Sequence, residues 1–127
     1  YNICYTKSSP IKEKDKDILL YSINRINSIS KKIGAELIIL LIPTKEQIYT
    51  EYFTEVVNAY QLDTNYIDLN YPNYWLTHKM DSLNIDYIDV TDEFRKQSSP
   101  MFFKNDIHLT KEGHAVVATQ ICDYLKK

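Results

Sequence analysis

Asp106 and His108 lie two residues apart in the run Phe102-Phe103-Lys104-Asn105-Asp106-Ile107-His108-Leu109-Thr110-Lys111-Glu112-Gly113-His114, just ahead of an apolar helical segment. A carboxylate two residues before a histidine can hold the imidazole in one tautomer. A general base that activates a hydroxyl nucleophile needs that support. The plainer reading is a solvated loop histidine beside an Asp favoured by the positive end of the next helix. Spacing alone does not decide between them. No serine has the setting of a matching nucleophile. Ser8, Ser9, Ser98 and Ser99 fall in polar loops, and Ser22, Ser28, Ser30 and Ser82 fall within predicted helices.

Other groups that could do chemistry are weaker. A metal held by Asp106, His108 and His114 is conceivable, but residues six apart at a helix start do not share a face. No metal or other cofactor is expected. His78 and Asp81, at i and i+3 on a predicted helix, read as a surface pair. Thr44 and Lys45 follow a predicted central strand and would face the crevice at its end, as substrate-lining groups or as a plain turn after Pro43. Trp75 and the Tyr71 to Tyr74 segment could stack on sugar rings; a helix–sheet core is the simpler role for Trp75. Cys4 and Cys122 lack zinc or redox spacing and read as buried thiols.

These residues need elements to position them. Between Ile11 and Ile33, the residues Ile18, Leu19, Ser22, Ile23, Ile26, Ile29 and Ile33 recur at three and four. That predicts a helix stopped at Gly34. Glu36 to Ile42 is a continuous apolar run suited to a central parallel strand, ended by Pro43. Residues 45–61 carry a second helical stripe. Residues 66–69, and residues 1–5, could add short extended pieces. A helix from Asn70, as N-cap, to about Leu83 precedes a second strand, 86–90. Thr91 is a candidate cap for a short helix, 92–97. Thr110 is a candidate cap for the last helix, to Leu125, with Ala115, Val116, Ala118, Thr119, Ile121, Cys122 and Leu125 near its buried side. Strands alternating with helices imply an α/β fold with a parallel sheet and right-handed crossovers. In such sheets reactive groups sit beyond the carboxyl ends of strands, where 101–109 falls.

The 127 residues suit one domain, with 44% apolar and 25% charged side chains typical of a soluble globular protein. A net charge of −2 gives no footprint for nucleic acid or for an anionic membrane surface. No run of eighteen apolar residues is present, so no membrane span is expected.

The chain resembles the SGNH (GDSL-type) hydrolase superfamily. The resemblance lies in Asp106-Ile107-His108-Leu109-Thr110, Gly113-His114 and the helix after them. Ile42-Pro43-Thr44-Lys45-Glu46 and Tyr87-Ile88-Asp89-Val90 add to it, so that it covers most of residues 18–125. It implies a three-layer, flavodoxin-like α/β fold, incomplete in this chain, whose members hydrolyse acyl esters or move acyl groups, often acetyl groups on polysaccharides. By position, His108 would be the general base and Asp106 its orienting carboxylate. The substrate would be an acylated small molecule or polysaccharide. The common family spacing is Asp-x-x-His. Here it is Asp-x-His, with Asn105 in the minus-three place, which is similar to the alginate O-acetyltransferase branch. Many relatives with this pattern work in the bacterial cell envelope.

The resemblance also implies a nucleophile in a Gly-Asp-Ser block and an oxyanion donor in a Gly-x-Asn-Asp block. The only glycines are Gly34 and Gly113, so neither block is present. The nucleophile and most of the oxyanion hole are therefore expected upstream, on another chain, or lost. The leading expectation is the C-terminal portion of a serine-dependent esterase or O-acyltransferase, inactive by itself. The alternative is a binding or scaffolding domain that has lost the nucleophile. A third reading is a receiver- or flavodoxin-like module in which Asp106 and His108 are incidental.

Overall fold

The unbroken apolar run forms a strand, β1, Ile38–Leu41, in a computed structural model that describes Cys4 and residues 10–126 (for 10 and 11, the backbone alone). β1 pairs with β2, Asp86–Asp89, in a two-stranded parallel sheet. The helices are α1 (Pro10–Lys32), α2 (Lys45–Ile48), α3 (Thr50–Tyr60), α4 (Tyr71–Leu83), α5 (Thr91–Arg95) and α6 (Lys111–Leu125). The element order is that of an incomplete α/β fold. Among the described residues, those up to Ile39 and those from Asp63 to Tyr87 form one compact unit, and those from Leu40 to Leu62 and from Ile88 onward form another. Ile39 joins the core of the first and Leu40 that of the second, so successive residues of β1 are both apolar.

In the first unit, Ile23 of α1, Met80 of α4 and Ile85 make the buried cluster, with Leu19, Leu37, Ile39 and Leu76 against it. Leu19 and Ile23 of the expected stripe pack inward, but the rest of the face α1 buries is shifted from it. Ile18, Ile26, Ile29 and Ile33 are exposed, while Lys12 and Lys16 are buried. The lysines reach aromatic rings. Lys12 Nζ lies 4.4 Å from the centre of the Tyr71 ring, and Lys16 Nζ lies 5.2 Å from that of Trp75. Lys16 also donates to Tyr71 Oη at 3.0 Å and to Glu13 Oε1 at 3.3 Å. Burial pushes its ammonium pKa down, but the two hydrogen bonds outweigh that, so the net shift is upward. Trp75 is half-buried beside this lysine. Gly34 takes φ +72° after α1, the left-handed stop the sequence predicts. Of the extended piece expected at 66–69, only Ile67 is in a β-bridge, with extended backbone (φ −106°, ψ 122°), while Tyr66 ends a helical turn and Leu69 lies in a turn. Thr64–Tyr66 form a 3₁₀ turn, because the Asp63 side chain accepts the Asn65 N–H at 3.1 Å and closes the chain locally. The extended piece expected at residues 1–5 lies outside the described residues except for Cys4, whose carbonyl accepts the Asp68 N–H at 3.0 Å. Asn70 holds the N-cap position of α4 without a side-chain cap bond.

In the second unit, Val90, Phe94, Met101 and Phe102 are the buried centre, with Leu40, Ile48, Tyr49, Leu109, Val116 and Val117 packed on it. The single helix expected over 45–61 is broken. Tyr49 leaves helical geometry (φ −120°, ψ 111°). Its hydroxyl accepts the Met101 N–H at 2.7 Å, and its ring meets Phe102 edge-on with centroids 6.4 Å apart. Thr91 is not the cap of α5. It is buried as the first helical residue, and Asp89 Oδ1 accepts its N–H at 2.9 Å. Thr110 does cap α6, accepting the Gly113 N–H at 3.1 Å. The inward side of α6 is Gly113, Val116, Val117, Gln120, Ile121 and Tyr124. Ala115, Ala118, Thr119, Cys122 and Leu125 are exposed, so Cys122 is not a buried thiol. The apolar residues of α6 cover more than one face.

Candidate functional site

The segment from Met101 to Thr110 is a loop closed at its base. Met101 and Phe102 are anchored in the core. Phe102 and Leu109 form an antiparallel bridge, the Phe103 N–H donates to the His108 carbonyl at 3.1 Å, and the Thr110 N–H donates to the Met101 carbonyl at 2.9 Å. Thr110 Oγ1 donates to the Pro100 carbonyl at 2.7 Å. Both chain ends of the loop are thus tied, and Asp106 and His108 sit in the part that projects.

One oxygen joins these two residues. Asp106 Oδ1 accepts the His108 backbone N–H at 2.7 Å and is hydrogen-bonded to Nδ1 of the His108 ring. The first contact is an Asx turn, which an Asp makes with the N–H two residues on. It folds the carboxylate back over residue i+2, so a ring at that position meets the same oxygen. The two-residue spacing therefore has a local geometric basis. A carboxylate only accepts, so Nδ1 carries the proton of this bond and the lone pair is left on Nε2. The His108 side chain is 78% exposed and that of Asp106 48%.

Hydrogen bonds from the His108 N–H, first, and from its ring, second, hold the Asp106 carboxyl below the usual carboxylate range. The linkage sign follows. A carboxyl whose pKa is lower folded than unfolded (about 3.9 for Asp) stabilises the loop above the unfolded value. That contribution fades as pH falls through the folded value. The expected result is a carbon-13 titration of Asp106 with its midpoint below about 3.9. The His108 amide, compared with the intrinsic exchange rate at each pH, should lose protection in that acid range. A midpoint at or above the unfolded value would contradict the turn.

Lys45, the first residue of α2, is 7% exposed. Its ammonium donates to the carbonyls of Phe103 at 2.6 Å, Lys104 at 2.6 Å and Asp106 at 3.3 Å. The Tyr52 ring centre lies 3.8 Å from Nζ, and Tyr52 Oη donates to the Lys104 carbonyl at 3.1 Å. Thr44, next to it, is exposed, and its backbone N–H donates to Gln47 Oε1 at 2.7 Å. A cavity of about 480 Å³ adjoins the loop, lined by Lys45, Tyr49, Tyr52, Ser98, Phe103 and Thr110 among others. Asp106, His108 and Thr44 are not in its lining.

Sequence reasoning placed Lys45 near the site but missed what it touches. Tyr49 and Tyr52 were missed altogether, being read as part of a helical stripe. The one usable signal was a lysine two residues after a strand-ending proline. The described serines lie where the sequence predicts. Ser22 Oγ and Ser82 Oγ donate to carbonyls of their own helices, and Ser98 and Ser99 are in an exposed loop beside the cavity. Ser8 and Ser9 lie outside the described residues. Among the described residues, the turns that follow β1 and β2 into helices carry Thr44 and Thr91, not serine. His78 and His114 are exposed. Among the described residues, no group of three or more His, Cys, Asp or Glu could hold a metal ion. Within the same limits, no helix is long and apolar enough to cross a membrane.

A family model described as the SGNH hydrolase-like domain of the acetyltransferase AlgX matches residues 13–127. No curated protein and no solved structure matches the chain.

Proposed function

Because the chain belongs to the SGNH hydrolase-like domain family of the acetyltransferase AlgX, we propose that it is the C-terminal portion of a serine-dependent acyl-transfer enzyme and supplies that enzyme's base. His108 is the general base and Asp106 its orienting carboxylate. The observation that carries this reading is the single Asp106 oxygen that takes both the His108 N–H and ring Nδ1. A ring so held presents Nε2 as the proton acceptor.

The chemistry is acyl transfer in two halves. The serine O–H proton goes to His108 Nε2 as the serine oxygen bonds to the ester carbonyl carbon. The tetrahedral adduct then expels the alcohol oxygen, which takes the proton back from His108 and leaves an acyl-serine. Water would complete hydrolysis. A sugar hydroxyl, deprotonated by the same Nε2, would complete transfer to a polysaccharide. Asp106 stabilises the imidazolium between the two proton transfers. The serine is contributed from outside the described residues.

A second reading, a binding domain without turnover, is favoured by the aromatic cavity that excludes the Asp106–His108 pair. One experiment separates the two. The 127-residue chain is expected to hydrolyse p-nitrophenyl acetate no faster than its His108→Ala variant. A protein that also carries a serine on a strand-to-helix turn is expected to turn over, and to lose that turnover in His108→Ala. Turnover that survives His108→Ala would count against the first reading. Binding of an acetylated oligosaccharide unaffected by His108→Ala, with no turnover in either protein, would favour the second.

A further inference from the structure

The ammonium of Lys45 has three protons and three acceptors, all of them main-chain carbonyls from a stretch of four residues. Three carbonyl dipoles that converge on one point repel each other unless a positive charge sits there. Among the described residues no carboxylate is paired with Lys45, so carbonyl dipoles of the loop main chain, rather than an opposite charge, solvate the buried ammonium. The Tyr52 ring closes another side of the ammonium at 3.8 Å. Lys45 lines the cavity, but its three ammonium protons are already matched by loop carbonyls.

From this we infer that Lys45 is a positioning residue: its ammonium is an internal cation around which the main chain of 103–106 is folded, and it thereby sets the Asp106–His108 pair. Asp106 is the link. Its carbonyl oxygen faces Lys45 and its carboxylate faces His108. Without the cation the carbonyls of Phe103, Lys104 and Asp106 lose their common partner and turn toward water. The Asx turn at Asp106 then has no fixed base. The importance of this for catalysis rests on the proposed role of His108; the folding of the loop around the cation does not.

The test uses the protein labelled with nitrogen-15 at lysine, histidine and the backbone. Lys45→Met keeps most of the stem and removes the charge. It is expected to speed exchange of the Phe103, Asp106 and His108 amides at least tenfold, while the His114 amide inside α6 keeps its protection. The His108 ring nitrogens should move from one fixed tautomer to an average of two. Lys45→Cys treated with 2-bromoethylamine rebuilds an ammonium at nearly the same length and should restore both signals. The alkylated wild type controls for Cys4 and Cys122. Loop exchange and tautomer unchanged in Lys45→Met would overturn the inference, as would failure of the rebuilt ammonium to restore them. Should Lys45→Met not fold, the wild type decides. One lysine ammonium resonance that exchanges slowly near neutral pH, assigned to Lys45, is expected, and fast exchange there overturns the proposal. None of these signals depends on turnover. Failure of His108→Ala to affect an active enzyme would sink the proposed function and leave these results standing.

Discussion

In an enzyme complete with its serine, His108→Ala is expected to lower kcat/KM by roughly 10⁴-fold, the upper end for loss of a general acid–base group. Asp106→Asn is expected to cost far less, on the order of 10²-fold. The reason is the shared oxygen. Asp106 Oδ1 takes both the backbone N–H and ring Nδ1, so an asparagine can offer its amide oxygen to both and keep the ring in the same tautomer. What is lost is the negative charge opposite the imidazolium. A hydrogen bond to a charged group contributes about 1.5–3 kcal/mol, and 1.4 kcal/mol is tenfold in rate. Asp106→Ala removes the turn as well and should fall between the two. Steady-state rates of the three variants test this ordering. If Asp106→Asn is as damaging as His108→Ala, the amide has turned its NH₂ to the ring, and the single-oxygen arrangement does not control the tautomer.

The part of this site that was legible in the sequence is the part held by local contacts. Asp106 and His108 are two residues apart, and an Asx turn is enough to bring them together. Thr110 caps α6 by a bond three residues long. β1 was legible because its neighbouring residues Ile39 and Leu40 both pack in cores, which erases the alternation of a half-exposed strand. The illegible part depends on partners far along the chain. The role of Lys45 is fixed by carbonyls 58 to 61 positions away, and carbonyls have no residue-type signature. Tyr49 fits a helical stripe by spacing, yet it leaves the helix to meet Met101 and Phe102. In α1 the isoleucines suggested one face, but beside Leu19 and Ile23 the buried face is completed by Lys12 and Lys16 with aromatic partners, a pattern hydropathy scores as polar.

Gly113→Ala is expected to destabilise the protein by about 2 kcal/mol, within the range for an added methyl in a packed site. On helix propensity alone the change would be favourable by about 1 kcal/mol. The neighbours decide the sign. A Cβ at 113 would lie 2.3 Å from the Met101 carbonyl oxygen, 3.3 Å from its carbon and 3.2 Å from Leu109 Cβ. The nearest atom is backbone and is held on several sides. The Met101 carbonyl accepts the Thr110 N–H at 2.9 Å, the Met101 N–H is bound to Tyr49 Oη at 2.7 Å, and the Met101 side chain is buried in the core. Relief must come from moving α6 or from breaking the base of the 101–110 loop. Either shift moves the residues that carry Asp106 and His108, so the loss of stability should be accompanied by faster exchange of the His108 amide. Urea unfolding measures the first effect and hydrogen exchange the second. A variant as stable as the wild type would mean that α6 can retreat from Met101 at no cost, and that the close approach at Gly113 does not hold the loop.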